Sequence, residues 1–384
     1  MRTLIHSATL ITGGVAVKHG WVEFSSDGRI LARGEGDSWR LREETAELID
    51  ASGQILTPGF IDIHAHGGGG FSYEDGPAAV DAALSLHRAH GTTRSVLSLV
   101  TGDVEELMRR VGVIADLAED NPLILGSHLE GPFLDPGHRG AHDPEYLIEP
   151  DIRDVDRLIA AGQGTICQVT LAPELPGSAE AIRRFTAAGI AVAVGHTDAD
   201  YEGALAAFSA GASILTHAFN AMNPIHHRAP GPVLAAADSP HVTLEIVNDG
   251  VHVHPSVVEL AFEMAPGRVA LITDAMAAAG NHDGHYLLGT LGVIVTDGVA
   301  RLEEGGAIAG STLTLDQALL RAVRDSHIPL PEAVRALTET PARTIGRGNE
   351  FGALDVGFAA DIVLLDQDLS VLRVWADGEP VPRD

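Results

Sequence analysis

Cysteine is all but absent: Cys167 is the only one in 384 residues, so no intramolecular disulfide can form. That usage fits a reducing compartment, and a cytoplasmic location is the expectation. Positive charge is scarce as well. Against 53 Asp and Glu there are 25 Lys and Arg, a formal net charge of -28 at pH 7. A field of that sign repels nucleic acid and anionic membranes, so neither is expected as a partner. An anionic small substrate would need a local basic pocket. No apolar run is long enough to cross a bilayer. The opening MRTLIHSATLITGG lacks a cationic segment followed by an unbroken apolar stretch, so no secretory leader is expected.

What is plentiful is apolar residue (45%) and glycine (43 residues), in a length that suits one large α/β barrel plus a minor domain. Both ends read as short strands. RTLIHSATLITGG, WVEFSSDGRILARGE and ELIDASGQILTPG alternate apolar and polar residues and break at Gly and Asp, and ALDVGFAADIVLLDQDLSVLRVWADGE has the same character. The expectation is a small β-sandwich domain formed from residues 1–57 and 347–384, around a catalytic barrel of residues 58–346. Two separate β extensions of the barrel are the alternative.

The middle alternates. Apolar runs suited to buried parallel strands occur at Gly59–Ile63, Arg94–Val100, Leu123–Leu129, Ile166–Leu171, Ile190–Val194, Ser213–Thr216, Val242–Val247 and Val269–Thr273. Helical patterns separate them, among them PAAVDAALSLHRAHG, DVEELMRRVGVIADLAED, SAEAIRRFTAAG, ADYEGALAAFSAG and HPSVVELAFEMAPG. Eight such units predict a TIM-type (β/α)8 barrel, with a doubly wound open sheet as the alternative. Residues 280–312 interrupt the pattern with hairpin signals at TDG and EEGG and read as an insertion beside the barrel mouth. LTLDQALLRAVRDS and LPEAVRALTETPARTIG read as two further helices, the second with Pro331 near its start and Gly346 past its end. GGGG (67–70) lacks the lysine and context of a phosphate-binding loop and reads as a flexible loop.

Metal-ligand residue types fall at the C-terminal ends of these strands: His64 and His66 in FIDIHAH, Glu130 in SHLEGP, His196 in VAVGHTD, His217 in ILTHAFN and Asp274 in ALITDAM. Residues i and i+2 of a strand share a face, so both imidazoles of the His-x-His pair can reach one ion. Barrel sites form at that end, and imidazole with carboxylate is the ligand set of hydrolytic zinc and iron centres. One histidine at a strand end is more often structural; the weight lies in the combination. His6, His19, His87, His90, His241 and His327 read as structural or surface residues, and Cys167, in TICQVTLAP, as a core residue.

In order, LTPGFIDIHAHG, Glu130, His196, His217, Asp274 and the tail GALDVGFAADIVLLD resemble the amidohydrolase superfamily. HLEGPF, GAHDP, LAPE, GHTDA, THAFNAM, DGVHV, TDAM and AGSTLTLD are similar to its N-acetylglucosamine-6-phosphate deacetylases, over nearly the whole chain. The resemblance implies metal-dependent release of acetate from N-acetylglucosamine 6-phosphate, within amino-sugar metabolism. Glu130, His196 and His217 would hold one divalent ion. His64 and His66 would hold a second, with zinc first and iron, manganese or cobalt compatible. Asp274 would be the general base and acid. His142 would contact the reacting group, Asn220 and Ala221 the sugar, and Arg228 and His252 the phosphate. It also implies a homodimer whose phosphate-binding residues cross the interface, and an AGST segment that closes over the acetyl group. Other amidohydrolases, a galactosamine-specific deacetylase and a catalytically silent scaffold are the rival readings.

Overall fold

The computed structural model describes residues 2–42 and 47–382. Met1, residues 43–46 and residues 383–384, all assigned above to the terminal β unit, lie outside the described residues.

Eight parallel strands follow one another around a barrel: Phe60–Ala65, Thr92–Val100, Ile124–Glu130, Ile166–Leu171, Ala191–Val194, Ile214–Leu215, Thr243–Val247 and Val269–Ile272. The first and last strands meet, which rules out the open sheet. The Asp274 amide donates to the His64 carbonyl at 2.8 Å, and the Thr273 hydroxyl donates to Asp62 Oδ2 at 2.6 Å. Nearly every residue of these strands is buried, as expected where helices cover the outside and side chains fill the inside. Each strand lies within two residues of its expected bounds.

The helix Val104–Asp120 shows how the outer layer forms. Asp103 caps it, its carboxylate accepting from the Glu105 amide at 3.0 Å. Leu107, Val111 and Ile114 recur at helical spacing and are buried, each contributing roughly 1.5–3 kcal/mol. Glu106, Arg109 and Arg110 pair on the solvent side. Helices Ile152–Ala161 and Gly231–Ala237 occupy two gaps where no helical pattern stood out. The single helix expected over 330–346 is two, Leu330–Leu337 and Glu339–Thr344, broken at Thr338 (φ -132°, ψ -82°). Pro341 is the cause: continued helix would drive its ring into the Leu337 carbonyl.

A second sheet takes strands from both ends of the chain. Ile362–Leu365 pairs antiparallel with Ile55–Pro58, which in turn lies parallel to Arg2–Thr12. The sheet curls until the Ile30 amide bonds to the Phe358 carbonyl at 3.0 Å. Inside lie Phe24, Leu56, Ile362 and Trp375, with the Phe24 and Trp375 rings edge to face. The segment after the eighth strand is a three-stranded antiparallel sheet, Gly284–Leu288, Leu291–Thr296 and Val299–Leu302. Its tight turn sits at TDG, where Asp297 (φ +52°) and Gly298 (φ +73°) are both left-handed. The GGGG loop is tied down rather than free. Gly67–Gly68 pairs with Phe71–Ser72, and the Gly69 and Gly70 amides donate to Ala279 and Ala277, each at 2.7 Å. Cys167 is only partly buried, its thiol 3.2 Å from the Leu125 carbonyl. Among the described residues, no helix is long and apolar enough to cross a membrane.

Arg94 fastens barrel to terminal sheet. Its guanidinium, 2% exposed, bonds Asp361 (2.6 and 3.2 Å), Asp377 (2.9 Å) and the Pro122 carbonyl (2.6 Å). Removing one partner of such a buried pair strands the other's charge. Arg94→Leu is therefore expected to lower unfolding free energy by about 3–5 kcal/mol in urea titrations, and Arg94→Leu with Asp361→Leu to recover much of it. A single-variant loss under about 1 kcal/mol would mean that solvent already screens the pair.

Candidate active site

Three of the six strand-end residues share one backbone device. His196, His217 and Asp274 each stand two residues past the end of their strand, with φ of +48°, +27° and +48°. The left-handed region is costly for residues other than glycine, on the order of 1–3 kcal/mol each. Here it turns each side chain off the strand direction and into the barrel mouth. At Asp274 the turn is locked from the far side by the AGST segment. The Ser311 amide donates to the Asp274 carbonyl at 2.7 Å, and the Met276 amide to the Ser311 carbonyl at 2.9 Å.

The side chains converge on Glu130. Its Oε1 lies 3.2 Å from His196 Nε2, 3.2 Å from His217 Nε2 and 3.3 Å from His64 Nε2, and its Oε2 lies 3.1 Å from His66 Nε2. Asp274 Oδ1 is 3.3 Å from His66 Nε2 and 3.5 Å from His64 Nε2. Two groups emerge whose ligand atoms lie within 4.8 Å of one another: His64, His66, Glu130 and Asp274, and Glu130, His142 and His196. His217 joins the second side, its Nε2 being 2.9 Å from His196 Nε2. His66, Glu130, His142, His196, His217 and Asp274 open onto a cavity of about 330 Å³ at the mouth, while His64 lies behind them.

Neighbouring hydrogen bonds decide which ring nitrogens carry lone pairs. His196 Nδ1 is 2.9 Å from the His138 carbonyl, which only accepts, so Nδ1 holds the proton and Nε2 presents a lone pair to the cluster. His64 Nδ1 is engaged by Glu245 at 3.1 Å, and its Nε2 is buried without a hydrogen-bond partner. His142 is the opposite case. Its Nδ1 accepts from the Thr101 amide at 3.3 Å, so Nε2 carries hydrogen and faces the cavity as a donor. Burial, reinforced by His196, pushes the His142 pKa down to about 3, so this ring stays neutral.

The charges point the same way. Burial alone would push the Glu130 carboxyl up, but His64 and the close rings of His196 and His217 hold it well below the usual range. Burial likewise opposes ionisation of Asp274, yet His64 and His66 bring it down to about 2. In return, against burial, Asp274 and Glu130 raise His66 to about 9. Two ionised carboxylates thus draw positive charge into a buried pocket walled by imidazoles. The orphaned His64 Nε2 and the close His196–His217 pair fit a divalent cation in this space.

Residues 55–381 match the amidohydrolase family. The chain belongs to that family. The amidohydrolase is 37% identical over 336 residues to the N-acetylgalactosamine-6-phosphate deacetylase of Escherichia coli O157:H7, covering 86% of this chain and 89% of that one. It is 37% identical over 346 residues to the N-acetylglucosamine-6-phosphate deacetylase of Vibrio furnissii, covering 88% and 85%. Among solved structures, a mutant N-acetyl-D-glucosamine-6-phosphate deacetylase from Mycobacterium smegmatis in complex with N-acetyl-D-glucosamine-6-phosphate superposes with a TM-score of 0.94, at 40% identity and full coverage of both chains. The Thermotoga maritima N-acetylglucosamine-6-phosphate deacetylase gives 0.89 at 28% identity, covering 99% of this chain and all of that one.

The remaining expected residues of this amidohydrolase fall in two places. Asn220, Ala221 and His252 line the cavity. Arg228 does not: it is exposed on the loop after Asn223, with Nη1 2.7 Å from His227 Nε2. Sequence reading passed over Asp62, His128, Gln168 and Glu245, all fully or almost fully buried in the barrel interior. The available signal was a lone acid in an otherwise apolar strand, as in TLEIV and FIDI.

Glu130 belongs to both ligand groups, so its loss and the loss of His66 should differ. Glu130→Gln is expected to weaken zinc binding at both positions by more than the roughly 10–100-fold typical of outer partners, and His66→Asn to affect one position only. Metal content by plasma mass spectrometry after dialysis reads both. Two ions retained by Glu130→Gln would contradict a shared ligand.

Proposed function

We propose that this amidohydrolase hydrolyses N-acetylglucosamine 6-phosphate to glucosamine 6-phosphate and acetate. The observation that carries the reading is the meeting of Glu130, four imidazoles and Asp274 at the mouth of one barrel. Glu130, His196 and His217 would hold one divalent ion, and His64 and His66 a second, with Glu130 shared. Zinc is the first choice; iron, manganese and cobalt suit the same nitrogen and oxygen donors. When bound, such an ion acidifies water and polarises a carbonyl.

The protein's own groups do the rest. Asp274, ionised and at the cavity wall, takes a proton from the water whose oxygen bonds to the acetyl carbon. It then gives that proton to the amide nitrogen as the C–N bond breaks, so the sugar leaves as a neutral amine. His142 aims its Nε2–H at the carbonyl oxygen, where negative charge grows. The Asn220 amide nitrogen is committed to the His217 and Ala218 carbonyls at 3.2 and 3.3 Å, which leaves its oxygen as an acceptor for a sugar hydroxyl. The Ala221 carbonyl accepts from the Thr197 amide at 3.1 Å, so its N–H is the group assigned to the sugar.

His252 suits the phosphate. Burial opposes its charge, but Asp249, 2.7 Å from Nδ1, raises its pKa above the usual imidazole value. Arg228, outside the cavity of its own chain, is assigned to the cavity of a second copy, which makes a homodimer the working unit. Its planar fork matches a phosphate better than a lysine would. A phosphorylated sugar does not cross membranes unaided, which fits a cytoplasmic enzyme.

Acetate release tests the reading. The expected result is turnover of the 6-phosphate and little of unphosphorylated N-acetylglucosamine, with kcat about 10²–10⁴-fold lower in Asp274→Asn. Equal turnover of both sugars would sink the phosphate assignments, and no acetate from either would sink the substrate. The Escherichia coli relative makes the galactosamine epimer the second reading, and both epimers belong in the assay.

A further inference from the structure

Beneath the cluster lies a carboxylate to which no step above gives a part. Glu245, on the seventh barrel strand, is fully buried. Its Oε1 accepts from Gln168 Nε2 at 2.8 Å. Its Oε2 accepts from the His217 backbone amide at 3.4 Å and lies 3.1 Å from His64 Nδ1. Its own carbonyl accepts from the Ala218 amide at 2.8 Å. Both carboxylate oxygens already act as acceptors, so the proton in the His64 contact sits on Nδ1. His64 Nε2 then keeps its lone pair, and that is the nitrogen aimed at Glu130 and Asp274.

Glu245 thereby touches both halves of the proposed metal centre: the ring of His64 on one side and the left-handed turn of His217 on the other. We propose that Glu245 is a positioning residue for the metal centre, setting the His64 tautomer and bracing the His217 turn so that both present Nε2 to the same space. The inference rests on the metal-centre reading. Carboxylate partners behind metal-bound imidazoles are a recurrent way to fix ring orientation, and losing one typically weakens metal binding roughly 10–100-fold.

Gln168 supplies a way to separate geometry from charge. Its Oε1 is buried without a partner. In Glu245→Gln, the Gln168 amide can turn over and offer that oxygen to the new NH2 group, while the new side-chain oxygen still accepts from His64 and His217. Glu245→Leu removes every acceptor. Zinc affinity, by competition with a chromophoric chelator, is therefore expected to fall roughly 10–100-fold in Glu245→Leu and to recover at least partly in Glu245→Gln. Nitrogen NMR of the zinc-loaded wild type is expected to show His64 protonated at Nδ1.

Unchanged affinity in a folded Glu245→Leu, or His64 protonated at Nε2 in the zinc-loaded wild type, would overturn the proposal. If Glu245→Leu does not fold, Glu245→Gln with Gln168→Leu replaces it. That pair denies the new amide its acceptor, and affinity equal to Glu245→Gln alone would count against the proposal. A wild-type protein that binds no divalent ion would instead sink the metal-centre reading itself.

Discussion

An ionised carboxylate held out of water must be matched by positive charge or by hydrogen-bond donors. Glu130 is the group on which that demand falls hardest. It ends the third barrel strand, is almost fully buried, and has imidazoles from the first, fifth and sixth strands around its two oxygens. The ends of those strands face one another across a single mouth because the barrel closes, through the Asp62–Thr273 and His64–Asp274 contacts. Closure, convergence and charge balance are thus one problem with one solution. The interior below follows the same logic. His128 is bonded on both ring nitrogens, by Ser98 at 2.9 Å and Thr170 at 2.8 Å, and Thr170 is bonded in turn to Thr216 at 2.9 Å. This bonded chain beneath the cluster helps to keep the layer above it in place.

How much of this could be read from the chain depended on whether the signal was local. Each barrel strand announces itself as a short apolar run, because parallel strands covered on both sides have no reason to alternate. The candidate ligands were legible because they stand where those runs stop. Helix Gly231–Ala237 was not, being short and without a polar face to set a period. The ordered state of GGGG was equally hidden, since the carbonyls that hold it belong to residues 277–279. Glu245 went unnoticed for the same reason: its partners Gln168 and His64 come from strands that only the closed barrel brings beside it. Arg228 shows the converse. A phosphate-matching side chain could be picked from the sequence, but the chain's own fold leaves it in solvent.

The terminal sheet stands behind the catalytic end without lining its cavity. It meets the barrel through Arg94, which enters from the second barrel strand and ends among carboxylates of the C-terminal segment. The C-terminal segment is thereby fixed to a strand whose far end, at Val100, reaches the cavity. Val100 closes that strand and packs under the antiparallel insertion, which supplies one wall of the cavity.

The left-handed backbone at His196, His217 and Asp274 has a consequence for how such a protein can change. Glycine would sit at any of these positions with less strain than the native residue, so the fold by itself favours losing the centre. Drift under selection for stability alone would erode the chemistry first and the barrel last. Keeping all three strained side chains is the outcome that selection for the pocket, rather than for the barrel, would produce.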